Sequence, residues 1–169
     1  MPRYRRYFSH GDWVFVTMVT ADRQPWLSGS ANKGILMESF RALKRHFGYR
    51  HLAHVVLDDH LHWMLIADGS KSVSGLVSSV KLGLIQRRRA AGLNWKRLWQ
   101  PRFHDHILRD ENDVRRHLDY IHFNPVKHGY VDCPREYRWS SIHAWIQRGH
   151  YREDWGKTEP KSAADLDYE

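Results

Sequence analysis

Two short stretches of this chain carry residue types that could do chemistry together. His60-Leu61-His62 sets two histidines two residues apart. On an extended strand that spacing turns both imidazoles to the same side. Two neutral imidazoles side by side can bind one divalent metal. Tyr120 and Asn124 stand four residues apart, neighbours on one face of a helix. A tyrosine hydroxyl can attack phosphorus and leave a covalent phosphotyrosine, and an amide oxygen one turn on can reach the same metal. Phosphodiester transfer needs a nucleophile, charge neutralisation at the scissile phosphate and positioning of both. Tyr120, a metal on His60, His62 and Asn124, and a basic surface would supply the three. Chemistry at phosphate oxygen suits Mg²⁺ or Mn²⁺, and two imidazoles lean the site towards Mn²⁺. A tyrosine hydroxyl, with a pKa of about 10, is protonated at neutral pH and needs a proton acceptor. His117, three residues before Tyr120, is a candidate by spacing.

Each part alone has a plainer reading. The chain has 13 histidines, and His104-Asp105-His106 repeats the spacing. Most such pairs are structural, so His104 and His106 are read first as support for the sheet, with a place beside the metal site as the rival. Asn124-Pro125 is also an ordinary way to stop a helix.

The elements that must position these residues follow from periodicity and breakers. Residues 13–20 are rich in Val, Thr and aromatics and read as a strand; 22–30 is a loop. Residues 33–47 carry apolar positions at helical spacing and end at Gly48. Residues 52–57 and 60–67 read as two strands joined at Asp58-Asp59. Residues 72–90 form a second helix. A short strand falls within 99–108, and a third helix runs from Asp110 to about Asn124, closed by Pro125 and Gly129. The order β-α-β-β-α-β-α predicts an α+β fold: a ferredoxin-like or RRM-like sandwich, with helices on one face of a mostly antiparallel sheet. Residues 1–156 read as a single domain and 157–169 as a polar, flexible tail.

Composition narrows the partners. Lys and Arg number 27 against 19 Asp and Glu, a formal net charge of +8. Such an excess favours polyanions through phosphate neutralisation. Eight Trp, eight Tyr and six Phe lie among these charges, and aromatics beside cations suit stacking on unpaired bases. No apolar run approaches the roughly 20 residues of a membrane span. The polar, basic start argues against a signal peptide. Cys133 is the only cysteine, which excludes an internal disulfide and a Cys-based zinc finger. A cytoplasmic location, at the nucleoid when bound to DNA, is the expectation.

The motifs taken in order resemble the REP-associated tyrosine transposases, a branch of the HUH single-strand transposases, over nearly the whole chain. The resemblance rests on Tyr4-Arg5-Arg6-Tyr7-Phe8, on 56–62 with its two histidines, on 98–106 around Trp99-Gln100, on 119–129 around Tyr120 and Asn124, and on 137–141. It implies nicking and rejoining of strands that carry hairpins of repetitive extragenic palindromes. It also implies a 5′-phosphotyrosine on Tyr120, a released 3′-hydroxyl, and a metal held by His60, His62 and Asn124. The last ligand is often Gln in related enzymes; Asn124 is one methylene shorter. Monomer and dimer both occur among such enzymes; the branch favours the monomer, and the residues do not decide.

Candidate DNA contacts are Arg3, Arg5 and Arg6 in a basic N-terminal arm, then Lys81, Arg87, Arg88, Arg102 and Lys127, with Arg89, Lys96 and Arg97 beside them. As a set they suit phosphate positioning better than base reading. Trp26, Trp95 and Trp99 are stacking candidates. The competing class is a binding module of the same fold that holds single-stranded nucleic acid without cutting it. A two-histidine phosphoesterase would need His-x-Ser/Thr motifs, and both His pairs lack the hydroxyl.

Overall fold

Runs such as Val14-Phe15-Val16 and Leu61-His62-Trp63-Met64-Leu65 offer large side chains to both sides of a strand, and both become strands buried on both faces. The computed structural model describes residues 8–93 and 97–168. Its elements are β1 (Trp13–Val19), α1 (Ser30–Phe47), β2 (Arg50–Val56), β3 (His60–Ile66), α2 (Val73–Ala90), β4 (His104–Ile107), α3 (Glu111–Lys127) and the short α4 (Ile142–Gln147). The strands form one sheet in the order β2-β3-β1-β4, each neighbouring pair antiparallel. The α+β fold expected from the sequence is therefore present.

One expectation about the layers is corrected: helices cover both faces. On one face, Leu36 and Phe40 of α1 and Leu76, Val80 and Leu84 of α2 pack on Val14, Val16, Leu61 and Trp63. On the other, Leu118, Tyr120 and Ile121 of α3 pack on Phe15, Ala53, Val55 and Met64. This second face carries His60 and His62, so the covering helix brings Tyr120 to them.

Local signals explain where α2 and α3 begin. Ser72 caps α2 by accepting from Gly75 N at 3.2 Å, and Asp110 caps α3 by accepting from Asp113 N at 2.8 Å. The end of α3 corrects the sequence reading, since the helix runs through Pro125 to Lys127. Proline forfeits its own N–H and crowds the carbonyl one turn back, yet the last turn still closes through His128 N to Asn124 O and Gly129 N to Val126 O. Gly129, at φ 68°, then turns the chain.

The segment expected to be a flexible tail is docked instead. Ala163 is buried, and Leu166 and Tyr168 pack on the α3 face of the sheet. Arg116 holds Asp165 through two 2.6 Å contacts, and Ser162 Oγ donates to Asp119 at 2.5 Å. Three apolar side chains in a polar run give the segment something to bury.

Candidate metal and nucleophile site

His60 and His62 lie at the start of β3, opposite Val19 and Thr17 of β1. Their ring centroids are 5.0 Å apart. Each ring has its Nδ1 held. His60 Nδ1 donates to Asp59 Oδ1 at 2.6 Å, and Asp59 also accepts from Arg23 at 3.1 Å. His62 Nδ1 meets Thr17 Oγ1 at 2.8 Å. Fixing Nδ1 in this way leaves Nε2 as the outward lone pair, as in metal-binding histidines with an oriented second nitrogen. The hydrogen bond to His60 outweighs burial and holds the Asp59 carboxyl at about 2. Burial first, and His60 next, push His62 well below the usual imidazole range, so it stays neutral.

Asn124 lies on α3, fully buried, one turn beyond Tyr120. Among the described residues, seven buried side-chain nitrogen and oxygen atoms have no hydrogen-bond partner. Four of them are His60 Nε2, His62 Nε2, and Asn124 Oδ1 and Nδ2. Leaving a buried polar group unpaired costs about 1–3 kcal/mol, so this concentration asks for an occupant. Two imidazole lone pairs and an amide oxygen are a donor set for a divalent cation.

Tyr120 faces the same place. Its ring centroid is 5.1 Å from that of His62, and Lys127 Nζ lies 5.2 Å from the Tyr120 ring centre. The tyrosine is only 3% exposed. Tyr168 of the C-terminal segment covers it, with ring centroids 5.6 Å apart and Tyr168 N donating to Tyr120 Oη at 3.3 Å. His117, the sequence candidate for a proton acceptor, is corrected. Its Nδ1 bonds Asp113 O at 2.8 Å and its Nε2 bonds the Tyr168 hydroxyl at 2.8 Å, so it addresses Tyr168 and not Tyr120.

The second histidine pair divides. His106 sits opposite Phe15 and stacks on His117 at 4.7 Å, with Nε2 on Asp113 Oδ2 at 2.9 Å. His106, Asp113 and His117 bring one ligand atom each within 4.8 Å of one another, which is metal-like spacing. Their hydrogen bonds make the group a brace between β4 and α3. His104, opposite Thr17, is exposed.

The basic candidates spread widely. Arg3, Arg5, Arg6, Trp95 and Lys96 lie outside the described residues. Arg88 is corrected: it is buried and donates to Asn32 Oδ1, tying α2 to α1, so it is no phosphate contact. Lys81 donates to Gln100 O at 2.6 Å and to Arg102 O at 3.3 Å, anchoring the loop before β4. Arg87 pairs with Glu38 at 3.5 Å. Arg102 is exposed on the loop that Lys81 holds. Of the stacking candidates, Trp99 is buried and Trp26 is half-buried against the α1/α2 core.

Sequence reasoning missed Asp59, Thr17 and Tyr168. Asp59 adjoins His60 and was within reach. Thr17 depended on strand register, and Tyr168 on the docking of the last segment.

No family model matches the chain. A REP-associated tyrosine transposase of Escherichia coli is 36% identical over 157 residues, covering 92% of this chain and 91% of that protein. A Haemophilus influenzae protein provisionally given the same name is 30% identical over 167 residues, covering 92% and 94%. A solved REP-associated tyrosine transposase bound to a REP hairpin superposes with a TM-score of 0.80 at 31% identity, covering 98% of this chain and 99% of that one.

Proposed function

The chain belongs to the REP-associated tyrosine transposases, and from that footing we propose that it is a metal-dependent single-strand DNA endonuclease and strand transferase. Its substrate is a strand carrying a REP-type hairpin, as is bound in the related structure, and it works through a 5′-phosphotyrosine on Tyr120. The observation that carries this reading is the group of four partnerless buried atoms on His60, His62 and Asn124, beside a tyrosine ring 5.1 Å from His62.

His60, His62 and Asn124 would hold Mg²⁺ or Mn²⁺. Bound there, the metal supplies charge neutralisation at a phosphate oxygen. The remaining work belongs to the chain. Asp59 and Thr17 fix the imidazoles so that both Nε2 atoms face the site. Tyr120 Oη forms the bond to phosphorus as the P–O3′ bond breaks. The phenolic proton passes to water, and the departing 3′ oxygen takes one up. Lys127, close to the Tyr120 ring, favours negative charge at the phenol and the phosphate. Attack by a free 3′-hydroxyl on the phosphotyrosine reverses the step and rejoins strands. Tyr168 covers the Tyr120 ring and its backbone N–H donates to Tyr120 Oη, so displacing this segment would open the hydroxyl further to a phosphate.

The test is incubation with Mn²⁺ or Mg²⁺ and labelled single strands carrying the palindromes that flank the gene, beside Tyr120→Phe. Cleavage with a covalent adduct on the downstream strand, lost in Tyr120→Phe, is expected. Hairpin binding without cleavage under either metal would favour the binding module, and cleavage surviving Tyr120→Phe would remove the nucleophile.

A further inference from the structure

The chain before β4 runs beside β1 but does not stay paired with it. Trp99 bridges Thr20, Gln100 N donates to Val19 O at 3.0 Å, and His104 pairs with Thr17. Between those points the four residues 100–103 face only Met18 and Val19, so the loop bows away from the strand as a bulge does. The gap is a cavity of about 350 Å³ lined by Thr17, Val19, Gln100, Arg102, Phe103, His104 and Asp105. Its loop is held in place, since Lys81 Nζ ties the Gln100 and Arg102 carbonyls to α2.

The cavity adjoins the proposed metal site. Thr17 lines it, and the Thr17 hydroxyl is the group that orients His62. His62 and His104 both pair with Thr17, from opposite sides. They therefore lie on one sheet face, about 10 Å apart at the backbone. Asp105, opposite Val16, also lines the cavity, so a carboxylate that can accept from a base amino group stands in the same gap as the Arg102 cation.

The lining is specific in kind. Arg102 supplies a permanent cation that matches a phosphate. Gln100 supplies an amide with both donor and acceptor, the type that reads a base edge. His104, exposed, supplies a ring for stacking, while Phe103 packs against the α1/α2 core and forms the wall behind it. The volume stands at the low end of small-ligand sites, which run from about 300 to 1,000 Å³, so a single unpaired nucleotide fits and a duplex stem does not.

We propose that this gap is a nucleotide subsite for the cut strand, taking one unpaired nucleotide next to the scissile phosphate. Arg102 contacts its phosphate, Gln100 its base edge, and His104 its ring. The inference rests on the endonuclease reading and adds to it a place where the protein itself reads sequence beside the cut.

The test separates the two. Tyr120→Phe protein is bound to hairpin strands carrying 5-iodouracil at each position outside the stem in turn, irradiated, and digested for mass spectrometry. One position is expected to cross-link to the peptide holding Phe103 and His104; cross-links from every position only to other peptides would overturn the subsite, whether or not the wild-type protein cuts. With protein that cuts, Arg102→Ala and Gln100→Ala are each expected to slow adduct formation about tenfold, as loss of a polar or charge-assisted contact does. An abasic nucleotide at the cross-linking position should slow the wild type but not slow Gln100→Ala further. Unchanged rates in both variants, or fully additive losses, would also overturn the subsite. Absence of any Tyr120 adduct in the wild type would count against the endonuclease reading and leave the cross-linking result to decide the subsite.

Discussion

Two groups of histidines share one face of one sheet and end in opposite states. His60 and His62 have Nδ1 held and Nε2 without a partner. His106 Nε2 and both nitrogens of His117 are engaged by Asp113 and Tyr168, and the two rings stack on each other. The second group satisfies a distance criterion for metal binding, yet its hydrogen bonds run among its own members and Tyr168: His106 Nε2 bonds Asp113, and His117 bonds Asp113 and Tyr168. The difference teaches that ligand spacing alone does not make a metal site; the decisive feature is which nitrogen the surroundings leave over.

The largest expected effect breaks or keeps that distinction. His62→Ala should lower Mn²⁺ affinity by more than about 100-fold, beyond what loss of an orienting partner does, and abolish adduct formation. His106→Ala should leave Mn²⁺ affinity unchanged and cost about 1–3 kcal/mol of stability through the lost bond to Asp113. Calorimetric titration with Mn²⁺ and thermal denaturation read the two quantities. The opposite pattern would reverse the assignments.

Next in size is the cover over the nucleophile. Tyr168 joins the two groups, its hydroxyl on His117 and its backbone N–H on Tyr120. Tyr168→Ala removes the ring and the hydroxyl that dock the segment. If these contribute about 1–2 kcal/mol, the uncovered state rises about 5- to 30-fold. Adduct formation under single-turnover conditions should quicken accordingly, and an unchanged rate would show that the segment does not limit access.

The smallest effect is on acid stability, where another histidine enters. Burial first, then Arg41, push His54 down to about 4. An unfolded histidine titrates at about 6.5, so between those values the unfolded chain binds more protons and stability falls as pH drops. The half-buried ring makes a loss of about 2 kcal/mol reasonable. Asp113 behaves as an acid held low: burial pushes it up, but bonds from His106 and the Arg109 backbone outweigh that and place it at about 2. Its contribution is present above the unfolded carboxylate value of about 4 and is lost as pH falls through 2. Stability measured against pH should fall in two windows, and His54→Gln should make only the upper one shallower, with His62 and the other buried histidines still contributing there.

The site was legible where it was local. His60 with His62 and Tyr120 with Asn124 are two- and four-residue spacings, which strand and helix geometry convert directly into shared faces. The covering of both sheet faces was also written in the chain, since 14–16 and 61–66 are large and apolar on both alternations; a strict in–out pattern would have marked one solvated face. What escaped depended on partners far apart in sequence. Thr17 meets His62 only through strand register, Arg88 is buried only because Asn32 lies across the α1–α2 contact, and Tyr168 sits over Tyr120 only because Ala163 and Leu166 anchor a mostly polar segment. The run of α3 past Pro125 is a limit of a different kind: a proline removes one donor, and the following turn closes without it.

The central claim is that the cation sits between the first pair of histidines, beside Tyr120. The most direct measurement is anomalous scattering from a crystal loaded with Mn²⁺. The account predicts one peak within bonding distance of His60 Nε2 and His62 Nε2, with the Asn124 amide turned to it. A peak held by His106, Asp113 and His117, with none between His60 and His62, would contradict it.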